Sequence, residues 1–197
     1  MKRSFLYSLL LTLLIGVQSS FAEVPVWQLD KDHSNFYFSV EHIFSKVRGR
    51  FETYTGTVRF DPANLAESKF IFEIEVDSIT THQSKRDRHL LSADFFDESK
   101  FPLIRFESRE ITESGPDTYN VAGTFTIKGK EYDLDLPLRL AGIKEHPMME
   151  GTRVAGFNGM VTIDRLAHGV GTGKFLEAGV LGRDVDIFVS LEVLEKQ

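Results

Sequence analysis

The chain has 197 residues with 23 basic and 29 acidic side chains, a formal net charge of −6, and no cysteine. This acidic balance argues against nucleic acid or an anionic membrane surface as the main partner. The lack of cysteine excludes disulfides and a lipid-anchored N-terminal cysteine, so stability must come from a core and a strand ladder. One domain is expected at this length.

The N-terminus has the pattern of a secretory signal peptide. Two basic residues precede an apolar run at 5–17, and Ser20-Phe21-Ala22 provides a small-x-small cleavage pattern. The run is shorter than the roughly 18 residues that a spanning helix needs, which makes an uncleaved anchor the weaker alternative. We predict a signal peptide at 1–22, cleavage after Ala22, and a single exported domain at 23–197.

Most of the mature chain alternates apolar and polar side chains with period two, which is typical of strands with one buried face. In the stretch 35–42, for example, Phe36, Phe38 and Val40 share one face, while Tyr37 and Ser39 share the other. The strong predicted strands are 35–42, 70–77, 119–127, 131–140 and 185–194, and the weaker ones are Val26–Leu29, 50–60, 103–111 and 154–164.

The turn residues agree with this pattern. Lys128-Gly129-Lys130 lies between two alternating runs and predicts a tight hairpin in which Gly129 supplies the positive φ. Gly56, inside a strand pattern, predicts a bulge or sharp bend. Helical character is confined to 84–92 and a short turn at 94–97. The stretches 142–151 and 168–183 are predicted to be flexible loops.

Eight or nine meandering strands with one apolar face predict an all-β fold, an antiparallel up-and-down barrel of about eight strands. Such a barrel is either filled by its own side chains or holds one small ligand, and the alternation favours neither. The polar faces are densely charged, as suits water outside the barrel, which counts against an outer-membrane barrel.

Few residues suggest catalysis or metal binding. The six histidines include no H-x-H or H-E-x-x-H pair, so a metal site could only be assembled from distant histidines. A triad of Asp32, His33 and Ser34 is implausible because strand neighbours point to opposite faces. His42 continues an apolar face, as expected for a hydrogen-bonded histidine at a barrel end. No catalytic residue and no metal are predicted.

The stretch 80–90 is basic within an acidic chain and lies where a strand gives way to a helix. One interpretation is structural, with Asp87 paired to Arg86 or Arg88 and pinning a helical lid. The other is a cationic rim that meets an anionic or carbonyl head group of a ligand.

Several motifs in this order resemble the YceI-like family, and the resemblance covers nearly the whole mature chain. They are Asp32-His33-Ser34, His42, Gly49-Arg50-Phe51, Gly56, Arg86-Asp87-Arg88-His89-Leu90, Asp94-Phe95-Phe96-Asp97, Phe101-Pro102, Phe106-Glu107-Ser108 and the Gly123 to Gly129 hairpin.

The resemblance implies a lipocalin-like barrel, often exported to the bacterial periplasm, whose interior binds polyisoprenoid, quinone-like or other long-chain amphiphilic lipids. No other cofactor is implied, and homodimerisation is plausible. One residue departs from the family pattern, because His168 stands where an aromatic residue is expected. The head-group preference near that loop is therefore not carried over from the family.

We predict that inward-facing apolar side chains line a lipid tail, a role compatible with plain core packing. Four polar residues are the head-group candidates: His42, Arg86, His89 and Arg165. The predicted tail-lining residues are Phe36, Phe38, Val40, Phe70, Phe72, Ile74, Val121, Phe125, Leu134, Leu136, Phe157, Val161, Ile187 and Val189.

Two other functions stay open. A barrel enzyme of the isomerase or cyclase type would need an acid–base pair inside the bore, such as His42 with a carboxylate. The inward faces carry almost no carboxylates, which counts against this alternative. A filled barrel acting as a stress-response interaction protein would bind no lipid and would instead expose an apolar patch.

Overall fold

Antiparallel strand pairing dominates the computed structural model, which describes residues 23–196. The predicted signal peptide lies outside these residues. Within them, the helices are too short or too polar to cross a membrane. The elements are β1 (Val26–Leu29), β2 (Asn35–His42), β3 (Ser45–Phe51), β4 (Tyr54–Arg59), β5 (Lys69–Glu75), β6 (Ile79–Thr80), α1 (Ser84–Leu91), β7 (Leu103–Gly115), β8 (Thr118–Ile127), β9 (Lys130–Glu145), β10 (Thr152–Asp164), α2 (Lys174–Glu177) and β11 (Leu181–Lys196).

The strands form a closed barrel. Strands β1, β4, β5, β7, β8, β9, β10 and β11 are hydrogen-bonded in that order, and β1 closes the ring by pairing with β11. The paired short strands β2 and β3 continue the lines of β1 and β4, since β2 pairs with β11 beyond the β1 contact. The predicted antiparallel barrel of eight strands is therefore confirmed.

One half of the barrel has a packed core, and we call it the packed half. Its centre is an aromatic cluster in which the Phe60 ring lies 5.0 Å from Phe157 and 5.1 Å from Tyr119, both edge-on. Phe70 meets Phe157 edge-on at 5.3 Å. Trp27 closes this end and donates its indole N–H to the Phe60 carbonyl at 3.0 Å. Such interlocked rings leave little room for a ligand.

Glycine makes room for phenylalanine on neighbouring strands. A Cβ at Gly49 would lie 2.4 Å from the Phe38 ring, and one at Gly56 would lie 2.7 Å from the Phe72 ring. Gly56 pairs in regular register with Phe72, so the predicted bulge at this position is wrong and the glycine serves a close approach instead.

The predicted β8–β9 hairpin is confirmed, with Lys128 and Gly129 at φ values of 50° and 68°, as a two-residue primed turn requires. The predicted strand at 50–60 is instead divided between β3 and β4. The predicted loop at 142–151 begins inside β9, which continues to Glu145, and the predicted loop at 168–183 contains α2.

Candidate functional site

The half of the barrel opposite the packed half contains a cavity of about 270 Å³, and we call it the cavity half. The cavity is walled by residues of β2, β3, β5, β7, β8, β10 and β11 and is covered by α1, α2 and the segment between α1 and β7. Its volume is slightly below the roughly 300–1,000 Å³ that is usual for small-molecule sites. It reaches the surface beside His89, whose side chain is 44% exposed, and we call this end of the barrel the mouth.

The wall is almost entirely aliphatic and aromatic. Within the described chain, its ionisable side chains include two arginines and two histidines but no aspartate or glutamate. These four groups are the predicted head-group candidates His42, Arg86, His89 and Arg165, so the structure brings all four together. Six of the predicted tail-lining residues also line the cavity: Phe36, Phe38, Val40, Ile74, Phe125 and Ile187.

The remaining predicted tail-lining residues do not line the cavity. Most are buried, four of them at no more than 1% exposure, and they pack in or next to the packed half. Leu134 and Val161 are partly buried against the same core. The buried residues of this group are Phe70, Phe72, Val121, Leu136, Phe157 and Val189.

Arg165 is the most buried charged group at the site, with only 3% of its surface exposed. Its guanidinium donates to the carbonyls of Gly182 at 2.7 Å and Val170 at 3.1 Å and, at a longer 3.5 Å, to Leu181. Burial lowers the pKa of Arg165. A guanidinium has five N–H donors, so these bonds leave donors free for a ligand.

Arg86 is held against the cavity from α1. Its Nε donates to the Thr81 hydroxyl at 2.7 Å and its Nη2 to the Thr81 carbonyl at 2.9 Å. The Asp87 carboxylate accepts from the Thr81 backbone N–H at 2.9 Å and from the Thr81 hydroxyl. Asp87 therefore pins the start of the helix through Thr81 rather than through the direct arginine pairs that the sequence suggested.

His89 and two phenylalanines form an aromatic lid over the mouth. The His89 ring meets Phe95 edge-on at 5.0 Å and Phe175 at 5.9 Å, and these two phenylalanines stack on each other at 5.8 Å. His89 also pairs with Asp94 at 3.1 Å. The lid is tied to the β8–β9 hairpin because the Lys128 ammonium donates to the Phe95 carbonyl.

Sequence reasoning missed much of the cavity wall. Phe95, Phe96 and Phe175 line the cavity from turns or from α2, where no alternation marks an inward face. The available signal was compositional, since large apolar residues interrupt polar stretches there. Leu90 and Phe51 also line the cavity, although they were not selected.

His168 lies beside the cavity wall rather than in it. Its Nδ1 is 2.8 Å from the Asp164 carbonyl oxygen, and its ring packs on Tyr132 with centroids 4.3 Å apart. The ring also meets Phe125 at 5.9 Å. The His168 ring is therefore packed behind a cavity-lining phenylalanine.

Asp30, His33 and Glu192 form a second cluster, at the break between β1 and β2, with ligand-type atoms within 4.8 Å of one another. His33 Nδ1 lies 2.8 Å from the Asp30 carboxylate, which also accepts from the Asp32 N–H at 3.0 Å. Ser34 bonds to the Glu192 backbone in both directions. These bonds join the turn between β1 and β2 to β11, and we call the cluster of Asp30, His33 and Glu192 the latch.

Comparison with known proteins identifies the family. The YceI-like domain matches residues 27–193, and the chain therefore belongs to the YceI-like family. A UPF0312 protein of Staphylococcus aureus (strain bovine RF122 / ET3-1) is 34% identical over 83% of this chain and 94% of its own length. A UPF0312 protein of Vibrio cholerae is 30% identical, covering 70% of this chain and 72% of the relative.

Solved structures agree with the barrel. Burkholderia cenocepacia BcnA superposes with a TM-score of 0.74 and 27% identity, covering 83% of this chain and 98% of BcnA. The Campylobacter jejuni YCEI protein gives 0.68 and 27%, covering 78% and 88% of the two chains. A polyisoprenoid binding domain from Saccharophagus degradans gives 0.63 over 89% and 100% of the two chains, and its 13% identity supports the fold alone.

Proposed function

We propose that this chain is an exported, periplasmic binding or carrier protein for an amphiphilic lipid with a polyisoprenoid, quinone-like or other long apolar tail. The observation that carries the proposal is the cavity of about 270 Å³, whose apolar wall includes His42, Arg86, His89 and Arg165. Such a wall is complementary to a molecule with an apolar tail and a polar head.

The tail supplies the driving force for binding. A long apolar chain in water gains roughly 0.8 kcal/mol for each CH₂ that it buries. Phe36, Phe38 and Ile187 offer such burial inside the cavity. The packed half lies beyond Phe36, whose ring meets Phe72 at 5.3 Å. Affinity should therefore stop rising with tail length once the cavity is full, and a longer tail must leave through the mouth.

The head should lie among the basic groups at the mouth end. Arg165 and Arg86 hold their guanidinium groups on backbone carbonyls and on Thr81, and neither forms an ion pair with a carboxylate in residues 23–196. An anionic or carbonyl head group would add charge-assisted hydrogen bonds to these donors. The enzyme alternative lacks a carboxylate partner for His42 among the described lining residues.

The relatives support the same assignment. The chain belongs to the YceI-like family, and the Saccharophagus degradans domain that shares the barrel is described as polyisoprenoid binding. The N-terminal pattern of charged, apolar and small residues supports export with cleavage after Ala22. Together these observations favour a binding role over a catalytic one.

Native mass spectrometry of the protein purified from periplasm without detergent tests the proposal. We expect a discrete added mass that extracts into organic solvent as a prenyl lipid or long-chain amphiphile. A protein that is ligand-free, and stays so after incubation with quinones and prenyl phosphates, would contradict the proposal and favour the filled-barrel interaction protein.

A matched pair of variants links that mass to the cavity. Val40→Trp fills the cavity from β2 and should abolish the added mass. Glu41→Trp places the same side chain at the next, exposed position and should leave the added mass intact. His42→Ala separates carrier from enzyme through turnover. A carrier should still hold lipid, and an enzyme would also keep binding but would lose turnover. Circular dichroism checks that each variant folds.

A further inference from the structure

The β2–β3 turn exposes two large apolar side chains at the mouth. Phe44 is 101% exposed and Ile43 is 57% exposed. The turn lies against the lid region, because the Ile43 backbone N–H donates to the Val180 carbonyl at 3.1 Å and Val180 lines the cavity. We call Ile43 and Phe44 the apolar tip. It offers apolar contact at the point where a ligand would enter or leave.

The local backbone makes this choice of residues costly. His42 pairs with Ser45, so the loop has only two residues, and Ile43 adopts a φ of 54°. Turns of this kind favour glycine, asparagine or aspartate, and a β-branched residue at positive φ is a true outlier. Backbone stability favours a polar or glycine tip, so the apolar residues point to a function in contact with another surface.

The neighbouring helix adds positive charge at the same end of the barrel. Helix α1 carries three basic residues and one acidic residue in a chain of net charge −6. Lys85 and Arg88 are exposed and form no ion pair within residues 23–196. Glu41 and Glu177 are exposed acidic groups nearby, so the charge of the mouth as a whole is mixed. We therefore assign the larger part of the attraction to the apolar tip.

We infer that the mouth docks on the surface of a phospholipid bilayer, with Ile43 and Phe44 inserted among the lipids and α1 beside anionic head groups. Exposed aromatic and aliphatic residues flanked by basic residues suit such an interface. The acidic net charge argues against such a surface for the molecule as a whole, but it averages over all faces and does not describe this end. Docking here would present the cavity to a membrane.

Flotation with vesicles tests the inference on the full mature chain. One vesicle set contains equal parts of phosphatidylcholine and phosphatidylglycerol, and the other contains phosphatidylcholine alone. We expect the wild type to float with the mixed vesicles and Phe44→Ser to partition about tenfold less, which is the effect of losing one inserted aromatic side chain. The double variant Lys85→Gln, Arg88→Gln should reduce flotation with the mixed vesicles by about fivefold for each charge removed, and should leave flotation with phosphatidylcholine vesicles unchanged. Added salt should likewise reduce flotation of the wild type with the mixed vesicles only.

The matched control is Met148→Ser. Met148 is 86% exposed in the β9–β10 loop at the other end of the barrel, because β10 runs from that loop to Asp164 at the mouth. Met148→Ser should float like the wild type. A wild type that does not float, or equal losses from Phe44→Ser and Met148→Ser, would overturn the inference. A dimer in sedimentation that Phe44→Ser dissociates would also overturn it, by assigning the tip to a second copy of the chain.

The docking inference and the proposed lipid cavity fail separately. Flotation is measured on protein that has been freed of lipid by organic extraction, then refolded and checked for its native fold. It is measured again on Val40→Trp, which has a filled cavity. If both the lipid-free protein and Val40→Trp float with the mixed vesicles, this would support docking through the apolar tip, whatever the cavity holds. Ligand binding in free solution by Phe44→Ser would in turn support the cavity whatever the tip does.

Discussion

The packed half and the cavity half of the barrel share β5, β7, β8, β10 and β11, yet only one of them is filled. In the packed half, the Phe60 and Phe70 rings meet Phe157 of β10 edge-on across the barrel, at 5.0 and 5.3 Å. In the cavity half, β3 pairs with β6 over only two residues, and α1 with the following segment completes the wall. The cavity therefore lies where helices and turns, rather than a continuous strand ladder, complete the wall.

The two halves show that an inward-pointing side chain does not necessarily contact the opposite wall of the barrel. Alternation decides which side chains point inward, but the space between the walls decides whether those side chains meet. Phe157 and Phe38 both point inward, and only Phe157 is surrounded by other rings on the far side. The contrast also predicts that a substitution in one half changes stability, whereas one in the other changes binding.

The largest expected effect is Phe157→Ala in the packed half. Removal of a fully buried ring should lower the free energy of unfolding by about 3–5 kcal/mol because the cavity it leaves cannot collapse. Urea unfolding followed by the fluorescence of Trp27, the single tryptophan, measures the change. Phe38→Ala is the control and should cost about half as much or less, since that ring already faces open space. Equal losses would contradict the division into two halves.

The next effect is on ligand binding. Arg165→Gln should weaken binding of a prenyl phosphate by about 10- to 100-fold, because a charge-assisted hydrogen bond is lost. Binding of the matching prenyl alcohol should change much less. Titration with both ligands gives the ratio. Arg183→Gln removes an exposed arginine that pairs with Asp164 at 3.2 Å outside the cavity, and it should leave the ratio unchanged. Equal weakening for both ligands would mean that Arg165 only organises its loop.

Much of the barrel could be predicted from the sequence, because a strand with one solvent-exposed and one buried face alternates polar and apolar residues along its length. The hairpin at Gly129 could also be predicted, because a glycine between two alternating runs is a local signal of a tight turn. The cavity was not, because Phe95 and Phe175 come from a turn and from a four-residue helix without periodicity. The apolar tip was missed because a two-residue turn is too short to carry a pattern.

A smaller effect concerns the mouth. Ile43→Asn should raise the free energy of unfolding by about 1 kcal/mol, because asparagine tolerates positive φ better than a β-branched residue. The same change should weaken vesicle flotation, so stability and docking move in opposite directions. Phe44→Asn is the control for stability and should leave unfolding nearly unchanged, since φ is not positive at that residue. A loss of stability in Ile43→Asn would show that the tip packs on the lid.

The smallest effect is a pH dependence at the latch where the two halves join. The hydrogen bond that His33 Nδ1–H donates to the Asp30 carboxylate, and then the charge of that carboxylate, raises the pKa of His33 above its usual 6.5. For Asp30, burial raises the pKa, but the His33 hydrogen bond and the Asp32 N–H outweigh it and lower the pKa below 3.8. The histidine contribution to stability is fully present below pH 6.5 and is lost as pH rises through the raised pKa. The aspartate contribution is present above pH 3.8 and is lost as pH falls through the lowered pKa.

The latch should therefore stabilise most between these two values. The Tm of the wild type should exceed that of His33→Gln between pH 3.8 and 6.5, and the difference should shrink at higher pH. Thermal unfolding across that range measures it. Because His33 is exposed and solvent screens the pair, the difference should be small. Ligand affinity should not follow the same titration, since the latch does not line the cavity. An affinity that tracks the latch would mean that the two halves are coupled through the β1–β2 break, and the separation of stability from binding would no longer hold.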